Sequence, residues 1–258
     1  MKKILLICLG VGLGMACMAA GVCSKAVEGL SQKSFRVVRK VNLKNFDKIA
    51  LAGSYDVVYT QGNGYSIQVV GPEKNVGQVA FEVNRGTLTI RPKCNLSSSF
   101  RFGFSKSTDD VVIKVTSPDL IAVTVTGSGS FKAPRLVDTD NLVLALTGSG
   151  DILFNNVVCD SYSAKLSGSG DMDIKKIVAQ TANLTLMGSG DLDVRQYNVK
   201  KTTATLRGSG DLDIVCHDCG TLTADLIGSG DISLKGNVRN VVKNVRGSGD
   251  ISDSTTRK

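Results

Sequence analysis

Residues 144–154 read Leu144-Ala145-Leu146-Thr147-Gly148-Ser149-Gly150-Asp151-Ile152-Leu153-Phe154. Residues 164–174 repeat the pattern as Ala164-Lys165-Leu166-Ser167-Gly168-Ser169-Gly170-Asp171-Met172-Asp173-Ile174. Gly-Ser-Gly begins at positions 127, 148, 168, 188, 208, 228 and 247, at intervals of 21, 20, 20, 20, 20 and 19 residues. Gly148-Ser149-Gly150, Gly168-Ser169-Gly170, Gly188-Ser189-Gly190, Gly208-Ser209-Gly210 and Gly228-Ser229-Gly230 form the regular series, and the seven copies hold half of the chain's 28 glycines. A fixed period of this length marks a repeat architecture.

Apolar residues flank each triplet at every second position. Two before the first Gly stand Val125, Leu146, Leu166, Leu186, Leu206, Leu226 and Val245. Four after it stand Phe131, Ile152, Met172, Leu192, Leu212, Ile232 and Ile251. The intervening positions are mostly Thr, Ser, Lys, Arg, Asp or Asn. A period of two is that of a strand with one face buried. If the extended parity runs through the triplet, both glycines face inward and Ser and Asp face out, and the triplet forms a corner or pinch. One such unit cannot bury its apolar face alone, whereas stacked units can. The expected fold is all-β: a single-stranded parallel β-helix, or β-solenoid, with coils of about 20 residues and a right-handed turn. In the last copy, Lys243 and Asp253 replace residues that are apolar elsewhere, which predicts a polar cap on the final rung.

Upstream of the repeats the strands are irregular. Tyr55 to Thr60 and Tyr65 to Val70, joined through Gln61-Gly62-Asn63-Gly64, predict a hairpin; Val79 to Val83 and Thr87 to Arg91, joined through Asn84-Arg85-Gly86, predict another. Ala52-Gly53-Ser54-Tyr55-Asp56 reads as a decayed copy of the motif. Cys94 to Ser107 reads as a Ser/Phe-rich loop, in which Phe100, Phe102 and Phe104 offer either a binding patch or a buried strand edge.

The organisation that follows is a signal peptide over 1–22, a basic linker over 23–44, an N-terminal β region over 45–126, the repeats over 127–253 and a tail over 254–258. Lys2 and Lys3 precede an apolar run from Ile4 to Val22 with small residues near Ala19 and Ala20, the pattern of a cleavable export signal. An uncleaved anchor is the alternative, since the run is long enough to span a bilayer, and Cys17 or Cys23 is a candidate for lipid attachment. The formal net charge is +8, but residues 23–50 carry seven bases against Glu28 and Asp47. Residues 51–258 are therefore close to neutral, which argues against a nucleic-acid partner. The expected location is exported: periplasm, outer membrane or cell surface, with any membrane association through the N-terminus.

Asn45-Phe46-Asp47-Lys48-Ile49, Asp56-Val57-Val58-Tyr59-Thr60-Gln61-Gly62, Thr116-Ser117-Pro118-Asp119-Leu120 and the Gly-Ser-Gly-Asp run together resemble the family described as "putative auto-transporter adhesin, head GIN domain". The resemblance covers roughly residues 45–252. It implies an exported β-helical domain with an adhesive role, and it supplies no catalytic residues.

Three groups invite chemistry. Asp151, Asp171, Asp191, Asp211 and Asp231 would stand about 4.8 Å apart on successive coils, with a shorter row Asp173, Asp193 and Asp213 beside them. Calcium would offset such a row; so would hydrogen bonds from the motif serines and backbone amides, with charge from Lys165, Lys175, Arg195, Arg207 and Lys235. No other cofactor is expected. Cys216-His217-Asp218-Cys219 holds the only histidine and reads as a local disulfide or two plain thiols, because a zinc site needs a second ligand pair and a redox pair wants a helix N-terminus. His217 has no nucleophile motif near it. The reading is a non-enzymatic exported scaffold that binds a protein or glycan at the envelope. The rivals are a polysaccharide-active enzyme on the same fold, and a purely structural envelope protein.

Overall fold

The computed structural model describes residues 36–93 and 111–257. The export signal, Cys17, Cys23, the first part of the basic segment and the stretch with Cys94, Phe100, Phe102 and Phe104 lie outside the described residues. In chain order the elements are β1 (Arg36–Val41), β2 (Lys48–Ala52), β3 (Asp56–Gln61), β4 (Ser66–Pro72), α1 (Glu73–Val76), β5 (Val79–Asn84), β6 (Thr87–Pro92), β7 (Val112–Ser117), β8 (Ala122–Gly127) and β9 (Ser130–Asp138). The repeats follow as β10 (Asn141–Gly148), β11 (Asp151–Val158), β12 (Ser161–Gly168), β13 (Asp171–Val178), β14 (Thr181–Gly188), β15 (Asp191–Tyr197), β16 (Lys201–Gly208), β17 (Asp211–Gly228), β18 (Asp231–Gly247) and β19 (Ile251–Arg257).

The alternating pattern gives each coil two strands, one on each side of the Gly-Ser-Gly corner. Strands that end in the corner pair in parallel with their equivalents one coil away, so that Leu146 lies beside Leu166 and Leu166 beside Leu186. This front sheet runs β5-β6-β2-β8-β10-β12-β14-β16 and then the second halves of β17 and β18. Strands that leave the corner form the back sheet, β1-β4-β7-β3-β9-β11-β13-β15, then the first halves of β17 and β18, then β19. The expected β-solenoid is thus present, flattened into two sheets.

The inward residues named from the alternation are nearly all buried and belong to one continuous core. Burying a Leu, Ile, Val or Phe side chain fully stabilises by roughly 1.5–3 kcal/mol, and a coil such as 181–200 buries Leu184, Leu186, Leu192, Val194 and Val199. Stacking therefore supplies what a single coil lacks.

The corner departs from simple alternation in one respect. The first glycine is half-exposed at positive φ (+136° at Gly188), whereas the second, such as Gly190, is buried. The chain turns at the first glycine and resumes an extended path at the second. A Cβ on Gly188 would lie 2.1 Å from the Gly168 carbonyl oxygen, and one on Gly190 would lie 2.0 Å from that of Gly170. The corners stack backbone on backbone, and Ser189 N and Gly190 N both donate to Gly168 O.

Gly53 lies against Gly127 with φ +106°, so residues 53–56 are a decayed copy of the motif, as expected. Tyr55 stands where later copies have the second glycine. The hairpin β5–β6 forms with Asn84 opposite Thr87. β3 and β4 do not pair with each other: β7 inserts between them, parallel to β3 and antiparallel to β4. Two boundaries also move. Residues 36–41, assigned to the basic linker, form β1 against β4, and Ser254–Arg257, assigned to the tail, belong to β19 against β18.

The polar cap is present. Lys243 Nζ lies 4.0 Å from Asp253 Oδ2, and Arg257 Nη2 lies 2.7 Å from the same oxygen. Burial raises the Asp253 pKa, but hydrogen bonds from Thr255 and Arg257 outweigh it and hold the carboxyl at about 2. The unfolded chain has an Asp pKa near 3.9. The cap's contribution is therefore present above about pH 4 and lost as pH falls through about 2. Asp253→Asn is expected to lower the melting temperature at neutral pH and to flatten its fall below about pH 4; parallel pH–melting curves for the variant and the parent would discard this role for the carboxylate.

Candidate functional site

The outer face of the back sheet carries its polar residues in columns, because parallel pairing at a fixed period puts equivalent residues side by side. Asp151, Asp171, Asp191, Asp211 and Asp231 are in register and exposed, continuing a column that begins with Asp56 and Ser130. Ser130 Oγ donates to Asp56 Oδ1 at 2.5 Å, so the one copy with Ser after its triplet meets an acid one rung below. The other motif serines are exposed. Asp231 Oδ1 accepts from Asp250 N at 3.0 Å.

Two residues along, Asp173, Asp193 and Asp213 form the second acidic column. Next to it stand Lys175, Arg195 and Lys235, with Val215 between the last two. The six charged residues line a shallow groove of about 380 Å³. Ion pairs among the described residues join Arg91 to Glu82 and Asp253 to Lys243 and Arg257; none joins these acids to these bases. Asp193 has its pKa raised, first by partial desolvation and then by Asp213, Asp173 and Asp191, with Arg195 opposing. Lys165 and Arg207, expected to help balance the Asp row, lie on the front sheet, away from it.

The carboxylates line up along the solenoid instead of converging. Among the described residues no group of three or more His, Cys, Asp or Glu is placed to hold a metal ion. The melting temperature is accordingly expected to be the same in millimolar calcium and in chelator. A rise of many degrees with calcium, as a folded-state ligand must produce, would make the Asp column a metal array after all.

The Cys-x-x-Cys segment lies at an irregularity where β17 pairs with β18, with Asp218 at φ +55°. Cys159, Cys216 and Cys219 are buried, free thiols. Inside the coil, Tyr162 Oη donates to Gln196 Oε1 at 2.9 Å. Gln196 Nε2 in turn donates to Thr202 Oγ1 at 2.8 Å and to Cys216 Sγ at 3.2 Å. The Cys216 thiol is pushed far up by its hydrogen bond to Cys219 and by burial; that hydrogen bond draws Cys219 down. These groups form an internally satisfied polar network, which tends to fix one arrangement of a core. His217 lies outside it, exposed and stacked on Tyr197 at 4.2 Å, with Lys176 Nζ 5.4 Å from the Tyr197 ring.

Sequence reasoning missed Gln196 and the Tyr197–His217 stack. In β11 and β13 two consecutive residues face out before Val157 and Ile177, but β15 keeps strict alternation and turns Gln196 inward. The ring stack had a signal in the sequence, since the two residues are one 20-residue period apart.

Fold and site together define a two-sheet β-solenoid with a backbone-stacked glycine corner and charged columns on an open face. The chain belongs to the family described as "putative auto-transporter adhesin, head GIN domain", whose model matches residues 45–237. Its fold is shared by a Bacteroides fragilis protein described as a putative adhesin, at TM-score 0.74 and 24% identity over 87% of this chain and 100% of that one. It is shared too by a Parabacteroides distasonis protein described as a putative lipid binding protein (TM-score 0.69, 24% identity, 87% and 98% covered). A Parabacteroides merdae protein described as a putative adhesin has the same fold (TM-score 0.68, 18% identity, 86% and 97% covered). No curated protein matches the chain.

Proposed function

We propose that the protein is an exported, non-enzymatic, adhesin-like scaffold that binds a protein or glycan at the cell envelope along the charged face of its back sheet. The observation that carries this reading is the pair of adjacent columns, Asp173, Asp193, Asp213 and Lys175, Arg195, Lys235, which form no ion pairs with one another. Charges held in register on a rigid sheet but left unpaired can meet the hydrogen-bonding and ionic groups of a ligand without first breaking internal bonds. The adhesin descriptions of the family and of the B. fragilis and P. merdae structures agree with it. The apolar run at residues 4–22 supports export to the periplasm, outer membrane or surface.

The test is the full chain on an array of glycans and matrix proteins, beside the triple variant Asp173→Asn, Asp193→Asn, Asp213→Asn. The variant is expected to lose at least about tenfold in affinity for whatever the parent captures, the cost of roughly 1.4 kcal/mol in binding, with its β circular dichroism unchanged. Equal capture by both proteins would remove the site, and release of sugar fragments from the array would make the protein an enzyme.

A further inference from the structure

The front sheet carries a different kind of surface at its C-terminal end. The column beside the glycine corner reads Thr147, Ser167, Met187, Arg207, Ile227, Arg246, in register from β10 to β18. With rungs about 4.8 Å apart, Arg207 and Arg246 flank Ile227 at about 10 Å from each other. They line a groove of about 610 Å³ together with Lys243 and Asp225. The cations there outnumber the acids. Asp225 Oδ1 is engaged by Asn244 Nδ2 at 2.7 Å, Lys243 lies 4.0 Å from Asp253, and among the described residues neither arginine is in an ion pair. Around them Met187, Ile227 and Val242, all at outward-facing positions, are 39–42% exposed.

We propose that this end of the front sheet is a contact site for an anionic phospholipid surface, with Arg207 and Arg246 gripping headgroup phosphates and Met187, Ile227 and Val242 seated at the acyl boundary. A guanidinium matches a phosphate bidentately and is weakly hydrated, so it gives up water readily at such a boundary. Apolar side chains interleaved with cations on one flat face are the pattern of interfacial binding. An acidic polysaccharide would satisfy the arginines but leave the apolar side chains in water. The acidic columns lie on the back sheet, so an anionic membrane attracts one side of the solenoid and repels the other. This site does not depend on the charged groove of the back sheet.

The experiment is phenylglyoxal modification of the full chain, read residue by residue by peptide mass spectrometry. It is run on vesicles of phosphatidylcholine with and without phosphatidylglycerol, and in inorganic phosphate at matched phosphate concentration. Because the readout is local, any partitioning of the apolar residues 4–22 does not mask it. Arg207 and Arg246 are expected to react about fivefold more slowly on the phosphatidylglycerol vesicles alone, with exposed Arg135 unchanged as the internal reference. Equal protection of Arg135, protection on phosphatidylcholine alone, equal protection by inorganic phosphate, or no protection at all would each overturn the proposal. In flotation on the same vesicles, the Arg207→Gln, Arg246→Gln variant is expected to lose the preference for phosphatidylglycerol while keeping the parent's melting temperature. Lys165→Gln, on the same sheet two coils before Arg207 and four before Arg246, is expected to keep that preference. A double variant that retains the preference overturns the assignment of the two arginines.

Discussion

Gly190→Ala is expected to destabilise the protein by on the order of 3 kcal/mol or more. The new methyl group would stand 2.0 Å from the Gly170 carbonyl oxygen, and the atom in its way is backbone. Gly170 is itself packed 2.1 Å, by the same measure, from Gly150 O, so the preceding rung has no slack to yield. Relief requires the rungs to part, which strains the corner hydrogen bonds from Ser189 N and Gly190 N to Gly168 O. The control is Gly64→Ala, where a Cβ meets nothing within 4 Å and the change is expected to stay within about 0.5 kcal/mol. Denaturant unfolding of the three proteins compares them directly. If Gly190→Ala unfolds at the parent's midpoint, the corners are not backbone-stacked.

Phe131→Ala carries the other large effect. Phe131 is fully buried, with Tyr59 stacked on one side at 6.1 Å and Phe154 on the other at 5.7 Å. Truncation removes a large apolar volume and both ring contacts, at an expected cost of about 3–5 kcal/mol. Tyr59 belongs to β3 in the irregular region and Phe154 to the first regular coil, so the ring ladder ties the two together. Phe131→Leu keeps most of the volume and is expected to cost less than half as much. A loss below about 1 kcal/mol for Phe131→Ala would mean that the coils close over the cavity and that the ladder does not couple the two regions.

The expected effects of Gly190→Ala and Gly64→Ala differ although both positions are glycine, and the repeat shows why. Wherever the 20-residue period holds, each residue's neighbour is its own equivalent, so local alternation is enough to name the core. Leu166, Leu186 and Leu206 were therefore legible as buried, the Asp column as exposed and in register, and Lys243 with Asp253 as a cap. In the irregular half no such rule exists. Tyr55 to Thr60 and Tyr65 to Val70 look like hairpin partners across their turn, yet β7, far along the chain, supplies better-placed edges for both. β1 likewise forms only because β4 offers it an edge.

The candidate sites divide in the same way. The amino-acid sequence by itself determined the β-solenoid, the place of its glycine corners, most of the inward and outward residues of each coil, and the acidic columns, because a parallel stack turns sequence period into spatial register. Only the tertiary structure decided which of those charges stay unpaired, since that depends on side-chain distances across rungs. It alone turned Gln196 inward, because one residue more or less at the outer edge of a strand reverses every face beyond it. It also left Arg207 and Arg246, which the period sets on either side of Ile227, without an ion pair, because the acids of the last coils are engaged elsewhere: Asp225 by Asn244, and Asp253 by Lys243 and Arg257.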